Sequence, residues 1–232
     1  MDADRSWQVI AEQRRALADL LDSLSPVQWE APSLCTRWRV RDVAAHVTLG
    51  CQPLHLGTVV PAAMHARGNF DRMNHDLAVA YAHRDPAAIV ADLRQYAGSR
   101  KVPAVTNYHN LLFDVLVHVH DIALPLGLPV TVPTDAAAAA TTTLWKLRWP
   151  WRTQRRFGGL SFRATDTPWS AGEGAEVAGP VTALLLAISR RPVALSLLTG
   201  KGLPELTRRI THPASSDAAT PSSLTSEQGT QP

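Results

Sequence analysis

The stretch HNLLFDVLVHVHDIALPLG, residues 109–127, carries charged side chains inside an otherwise apolar helical pattern. Its Leu, Val and Ile residues are typical of a buried helix, yet Asp114, His118, His120 and Asp121 run through its middle. An unpaired charge in an apolar interior costs several kcal/mol, so such groups are normally paired, hydrogen-bonded or bound to a metal. The stretch therefore predicts a buried helix whose polar side chains are paired, hydrogen-bonded or bound to a metal.

Helical geometry separates these four polar residues into two groups. Each residue advances about 100° around an α-helix, so Asp114, His118 and Asp121 fall within about 60° of one another, whereas His120 lies roughly 160° from His118. A carboxylate and an imidazole one turn apart can present an oxygen and a nitrogen to one divalent cation, as in metal-binding helical bundles. The spacing equally allows a structural interpretation, in which Asp114 and His118 form a buried pair that joins two helices.

A third metal ligand is expected from the stretch DVAAHVTL, residues 42–49, where His46 lies in the apolar stripe of another predicted helix. A catalytic zinc ion typically takes three protein ligands and keeps one position open. The sequence thus predicts His46, Asp114 and His118 as the metal ligands, although a hydrogen-bonded core histidine is the alternative at position 46. The other histidines fit less well, since they lie near predicted helix ends, in polar segments or before the tail: His55, His65, His75, His83, His109 and His212.

The N-terminal part of the chain is predicted to be a helical bundle. Apolar periodicity and capping residues predict helices over about 5–24, from Val40 onward, and over 70–85, 86–98 and 107–126. Short connectors between them favour an antiparallel four-helix bundle over residues 1–130.

The chain changes character after residue 130. A helix over 135–149, two short strands within 156–166 and 173–179, and two proline-initiated helices over 179–190 and 191–202 predict a small α+β domain, residues 131–212. Residues 213–232 are rich in Ser, Thr, Pro and Ala and are predicted to be disordered. The expected fold class is mainly α with a small α+β part.

Composition narrows the classes of function. The chain has 232 residues, is 45% hydrophobic and has no apolar run long enough to span a membrane, so we expect a cytoplasmic protein with no membrane partner. Cys35 and Cys51 match no standard zinc or redox spacing. The basic cluster Lys146–Arg156 is a solvated surface, a region that attracts acidic small molecules or a nucleic-acid face, and no nucleic-acid-binding motif accompanies it. We therefore expect no nucleic-acid partner, and the sequence allows a monomer or a homodimer.

Three segments resemble one known family. PSLCTRWRVRDVAAHV, residues 32–47, resembles the signature PSLC-x-x-W-x-V-x-D-V-x-x-H of the mycothiol-dependent maleylpyruvate isomerase family, which belongs to the DinB-like superfamily. Residues 111–127 resemble its second signature, Glu-x-x-x-His-x-x-Asp followed by Arg-Pro-Leu-Gly, and residues 178–202 are similar to its C-terminal domain. The resemblance spans roughly residues 5–210. It implies a DinB-like metal-binding four-helix bundle followed by a small C-terminal domain.

The resemblance also implies roles for individual residues. His46, Asp114 and His118 correspond to the family's metal ligands, with Asp114 in place of a longer Glu, and Asp121 corresponds to a residue that would orient a ligand histidine. Arg191 matches an arginine that serves the active site, where its planar guanidinium can donate two hydrogen bonds to a substrate carboxylate. An exposed pair at a helix end is the alternative for Arg191 and its neighbour. A further departure is that Ala123–Leu124 replaces the basic residue before Pro-Leu-Gly. Cys35 lies within the PSLC stretch and is expected to be a small buried apolar residue.

The implied function is that of a metal-dependent, mycothiol-using isomerase or S-transferase. A divalent metal, with zinc as the first candidate, would activate mycothiol as a thiolate. The thiolate would add to a small unsaturated or otherwise electrophilic, acidic substrate. Two other classes remain open. One is a degenerate, non-catalytic binding or regulatory member of the fold, and the other is a metal-dependent enzyme that activates water instead of a thiol.

Overall fold

The computed structural model describes residues 1–52, 70–102, 107–148 and 152–212. The N-terminal part is helical, as predicted. Its helices are α1 (Ala3–Asp22), α2 (Pro26–Trp29), α3 (Val40–Cys51), α4 (Phe70–Ala82), α5 (Pro86–Tyr96) and α6 (Tyr108–Ala123).

Four of these helices close into a bundle. Helix α1 packs against α5 and α6, and α3 packs against the same two helices, so that α1, α6, α3 and α5 form a ring around one core. Leu17, Val43, Leu93 and Leu116 are fully buried in that core, one from each helix. Helix α4 lies outside the ring and packs on α3. The predicted four-helix architecture is confirmed.

Local capping explains where helix α6 begins and ends. Asn107 caps α6 by accepting a hydrogen bond from the backbone N–H of Asn110. After Ala123 the chain tightens into a 3₁₀ turn, Leu124–Leu126, and Gly127 ends it with φ of 67°. A left-handed residue there suits glycine, which has no Cβ to clash.

The C-terminal part is a small α+β unit. Its elements are α7 (Thr134–Lys146), α8 (Thr153–Arg156), β1 (Gly159–Ala164), β2 (Ser170–Gly172), β3 (Gly174–Gly179), α9 (Val181–Ile188), a 3₁₀ helix (Pro192–Leu197) and α10 (Leu203–Thr211). The sheet has the order β2-β1-β3, with β1 antiparallel to β2 and parallel to β3. In the register, Phe162 faces Ala171 on one side and Val177 on the other. The predicted fold class, mainly α with a small α+β part, is confirmed.

Three details of the predicted C-terminal elements are wrong. The helix expected over 191–202 is a 3₁₀ helix that ends at Leu197, because the chain then turns to pair Thr199 with Ala178. The last α-helix is α10, whose amphipathic pattern begins only after Gly202. Strand β2 was not predicted, since three residues are too few to show an alternating pattern.

Helix α7 joins the two parts of the chain. It packs against α6 of the bundle and against α9 of the α+β unit. The predicted boundary at residues 130/131 lies just before this helix and stays a prediction, whereas the predicted disordered tail, residues 213–232, lies outside the described residues. Among the helices that the structure describes, none combines the length and apolar character that crossing a membrane requires.

Candidate metal centre

Helices α3 and α6 bring three possible metal ligands together. His46 on α3 places its Nε2 3.5 Å from Oδ1 of Asp114 on α6. The Nε2 of His118, one turn further along α6, lies 3.3 Å from the same oxygen. The two imidazole rings meet edge to face, with centroids 4.9 Å apart. All three donor atoms lie within 4.8 Å of one another.

The two separations that involve Asp114 fit a tetrahedral cation. Zinc bonds of about 2.0–2.1 Å place neighbouring ligand atoms of a tetrahedron about 3.3 Å apart. The observed 3.3 and 3.5 Å agree with that edge length, and two imidazoles with one carboxylate are a donor set that zinc accepts. The shorter Asp114 thus reaches as far as the site requires. Its side chain is 35% exposed, which leaves the site open on one side.

The three ligand side chains also perturb one another electrostatically. Burial by itself would raise the pKa of Asp114, but the imidazoles of His118 and His46 outweigh it and hold that pKa well below its usual range. Burial likewise opposes the charged form of His118, yet Asp114 and then Asp121 raise the pKa of His118 well above its usual value. A negative carboxylate between two imidazoles is a site prepared for positive charge.

Asp121 holds His118 in the orientation that a metal ligand needs. Its Oδ2 accepts a hydrogen bond from Nδ1 of His118 at 2.9 Å, so Nε2 faces Asp114. A carboxylate bonded to the far nitrogen of a ligand histidine fixes the ring and its tautomer. Asp121 is fully buried, and His118 and Arg191 keep its pKa far below the usual range despite that burial.

Arg191 reaches the site from the loop after α9. Its Nε and Nη2 donate to the two carboxylate oxygens of Asp121 at 2.9 and 2.6 Å, and its Nη1 donates to the carbonyl of Ser189 at 2.6 Å. The side chain is 13% exposed, so it is not the exposed helix-end residue that was the alternative. The paired edge of the guanidinium, which was expected to bind a substrate carboxylate, is filled by Asp121.

Cys35 lies in this cluster, contrary to the expectation of an inert buried thiol. Its Sγ donates to Oδ2 of Asp121 at 3.0 Å and lies 3.4 Å from Nη2 of Arg191 and 3.7 Å from Nδ1 of His118. The preceding residue fastens the loop to α6, since the N–H of Leu34 donates to the carbonyl of Asp121 at 3.0 Å. An open cavity of about 440 Å³ is lined by this loop, Pro32–Arg39.

Two further residues near the centre were not selected from the sequence. The indole of Trp38 packs 5.2 Å from the ring of His46 and 6.3 Å from that of His118. His75 on α4 accepts a hydrogen bond from the indole N–H of Trp38. The motif containing Trp38 was the available signal, whereas nothing in the spacing of α4 marks His75. His120 behaves as predicted and faces elsewhere, with its Nδ1 donating to the carbonyl of Leu116 at 2.7 Å.

Comparison with known proteins assigns the N-terminal part. Residues 10–105 match the family model of the mycothiol maleylpyruvate isomerase N-terminal domain. The family resemblance is confirmed. The matched segment contains the loop with Cys35 and Trp38 and all of α3 with His46, but ends before α6.

Solved structures support the fold over most of the chain. A crystal structure of the mycothiol-dependent maleylpyruvate isomerase aligns with a TM-score of 0.56 at 14% identity, covering 87% of this chain and 93% of that one. The structure of a histidine-to-alanine mutant of that enzyme aligns with a TM-score of 0.54 at the same identity and coverage. No curated protein matches the sequence at a significant level. The α+β unit therefore shares the fold of the family's structures as well.

Proposed function

We propose that this chain is a metal-dependent isomerase or S-transferase that uses mycothiol and acts on a small, unsaturated, acidic electrophile. The observation that carries the proposal is the convergence of His46 Nε2, Asp114 Oδ1 and His118 Nε2 at separations of 3.3 and 3.5 Å. The match of residues 10–105 to the mycothiol maleylpyruvate isomerase N-terminal domain points to the thiol as cosubstrate.

The proposed ligands would bind one cation that activates the thiol. His46, Asp114 and His118 would hold the divalent cation, for which zinc is the best fit to the donor set. When bound, such a cation lowers the pKa of a coordinated thiol, so that a thiolate nucleophile exists near neutral pH. The partly exposed side of Asp114 leaves room for the thiol and the electrophile to approach.

We propose that Arg191 serves this site chiefly through Asp121. Its guanidinium compensates the buried carboxylate, which in turn keeps the Nδ1 proton of His118 in place. Direct binding of a substrate carboxylate would require Arg191 to release the two hydrogen bonds it makes to Asp121. Removing either partner of such a buried pair leaves the other charge uncompensated.

The reaction follows from thiol chemistry. A thiolate adds to one carbon of a cis double bond, which becomes a rotatable single bond as the electron pair moves to the conjugated carbonyl. Rotation and expulsion of the same thiolate restore the double bond in the trans form. In an S-transferase the adduct instead takes up a proton on the neighbouring carbon and is released.

The test is an assay that varies metal and thiol separately. Untagged protein is stripped with a chelator, reloaded with zinc, and incubated with cis-unsaturated acids, including maleylpyruvate, with and without mycothiol. We expect proton NMR to show a trans isomer or a thiol adduct only when both zinc and mycothiol are present. Turnover by the zinc form without thiol would indicate water activation, and an inert protein that binds no zinc would indicate a degenerate site; either result contradicts the proposal.

A further inference from the structure

We propose that Trp38 and His75 form a clamp that positions the imidazole of His46 for metal binding. The clamp combines the loop before α3 with helix α4, and nothing in the family match or the ligand set assigns it. The inference rests on the proposed metal centre, because its purpose is to orient one of the three ligands.

His46 needs such a device because its partner ligand is held differently. The ring of His118 is fixed from behind by its Nδ1 bond to Asp121 at 2.9 Å. Among the residues that the structure describes, no hydrogen bond reaches Nδ1 of His46. Metal-binding histidines depend on outer partners for ring orientation, and losing such a partner typically weakens metal binding about 10–100-fold. For His46 that constraint has to come from packing.

Trp38 supplies the packing surface. Its indole lies 5.2 Å from the His46 ring at an interplanar angle of 50°, so the indole packs against the imidazole on that side. The backbone of Trp38 is itself fixed, since its N–H donates to the carbonyl of Cys35 at 3.0 Å. Its carbonyl accepts from the N–H and the hydroxyl of Ser33 at 3.0 and 2.9 Å.

His75 fixes the remaining freedom of the indole. The indole N–H donates to Nδ1 of His75, and the two rings lie nearly parallel, with 24° between their planes. An indole has a single N–H donor, so this bond selects one rotamer of Trp38. Because α4 packs on α3, the helix that carries His46, the clamp spans two helices and the loop that leads into one of them.

Four variants test the hydrogen bond between Trp38 and His75. Trp38→Phe keeps an aromatic surface but removes the N–H, and His75→Leu removes the acceptor. His75→Asn retains an acceptor, because its Oδ1 occupies the place of Nδ1. His83→Leu is the matched control, since His83 is exposed on the turn after α4.

Cobalt substitution is the experiment, because the visible absorption of Co²⁺ reports the geometry of its ligands. We expect Trp38→Phe and His75→Leu to bind Co²⁺ about 10-fold more weakly and to change the band shape. We expect His75→Asn and His83→Leu to match wild type. The double variant Trp38→Phe/His75→Leu should be no weaker than either single variant, because each removes the same bond. Circular dichroism verifies that every variant is folded.

Two failures are distinguishable. Wild-type protein that binds no Co²⁺ would overturn the proposed metal centre, and the clamp with it. Wild-type protein that binds Co²⁺, with Trp38→Phe and His75→Leu identical to it in affinity and spectrum, would overturn the clamp alone.

Discussion

At the scale of single residues, Asp121 is the buried charge on which the site's hydrogen bonding depends. Three donors meet at its Oδ2: Nδ1 of His118 at 2.9 Å, Nη2 of Arg191 at 2.6 Å and Sγ of Cys35 at 3.0 Å. The carboxylate therefore stays ionised although no part of its side chain is exposed. It links a possible metal ligand to a residue of the α+β unit.

Replacing Asp121 by Asn tests this link. The amide has the same shape but can donate to Nδ1 of His118, which would move the imidazole proton to Nε2, the nitrogen that faces Asp114. We expect zinc affinity to fall about 10–100-fold, measured by competition with a chromogenic chelator. Asp166→Asn is the matched control, because the side chain of Asp166 accepts a hydrogen bond from the N–H of Val181 in the α+β unit and is not one of the proposed metal-site residues. Equal affinity in wild type and Asp121→Asn would contradict the role given to Asp121.

The raised pKa of His118 predicts how zinc binding depends on pH. Asp114 and Asp121 raise the pKa of His118 and so favour its protonated form in the metal-free protein, and zinc must displace that proton. Affinity should rise with pH until the pH passes the raised pKa. Calorimetry in buffers of different ionisation enthalpy should show release of about one proton per zinc near pH 7. Zinc binding with no proton release and the same affinity from pH 6.5 to 8 would contradict this assignment.

The raised pKa of His118 also makes the stability of the metal-free fold depend on pH, in the direction opposite to zinc affinity. Because the folded pKa of His118 lies above its unfolded value of about 6.5, its stabilising contribution is fully present below pH 6.5. That contribution is lost as pH rises through the folded pKa. Zinc therefore binds best in the pH range where His118 contributes least to the stability of the metal-free fold.

At the scale of elements, helical periodicity is the part of the site that the sequence could predict. The spacing of Asp114, His118 and Asp121 on α6 places them on one face, and the structure brings that face opposite His46. The assignment of His46, Asp114 and His118 as metal ligands stays a prediction, as does the role of Asp121 in orienting His118. Cys35 and Trp38 lie in a non-periodic loop, where the family motif was the available signal and periodicity gave none. His75 reaches the site through the packing of α4 on α3, which no local pattern indicates.

The three-stranded sheet depends on close backbone approach at Gly174. This residue has φ of 128°, and a Cβ added there would lie 2.1 Å from the carbonyl oxygen of Gly159 on the neighbouring strand. We expect Gly174→Ala to lower the free energy of unfolding by at least about 2 kcal/mol, measured by denaturant titration.

Gly50→Ala is the natural control for that substitution. Gly50 lies within α3, and among the described residues an added Cβ would meet no atom within 4 Å outside the backbone of its own helix. Alanine is a better helix former than glycine, so this change should stabilise the protein by up to about 1 kcal/mol. Similar effects of the two substitutions would show that the close β1–β3 approach is not a requirement of the fold.

At the scale of the whole molecule, the bundle and the α+β unit share one hydrophobic core. The buried cluster runs from α1 and α3 through Leu144 of α7 to Leu184 of α9 and Phe162 of β1. The bonds between Arg191 and Asp121 add a polar connection between the same two parts. The sequence predicted both parts, but their tight union depends on long-range contacts that no local pattern records.

This shared core predicts cooperative unfolding. Guanidinium titrations followed by far-UV circular dichroism and by tryptophan fluorescence should give one coincident transition, as expected for a chain that unfolds in a two-state manner. Two separated transitions would show that the bundle and the α+β unit are independent domains.

The most direct test of the account is the metal content of untagged protein. Elemental analysis should find about one equivalent of zinc in wild type after equilibration with zinc and removal of the excess, because three donors define one site. His46→Ala should retain little, while the exposed-site control His83→Ala should retain the wild-type amount, with circular dichroism unchanged in both. Wild-type protein without zinc, or His46→Ala with a full equivalent, would contradict the claim that residues 46, 114 and 118 form one metal centre.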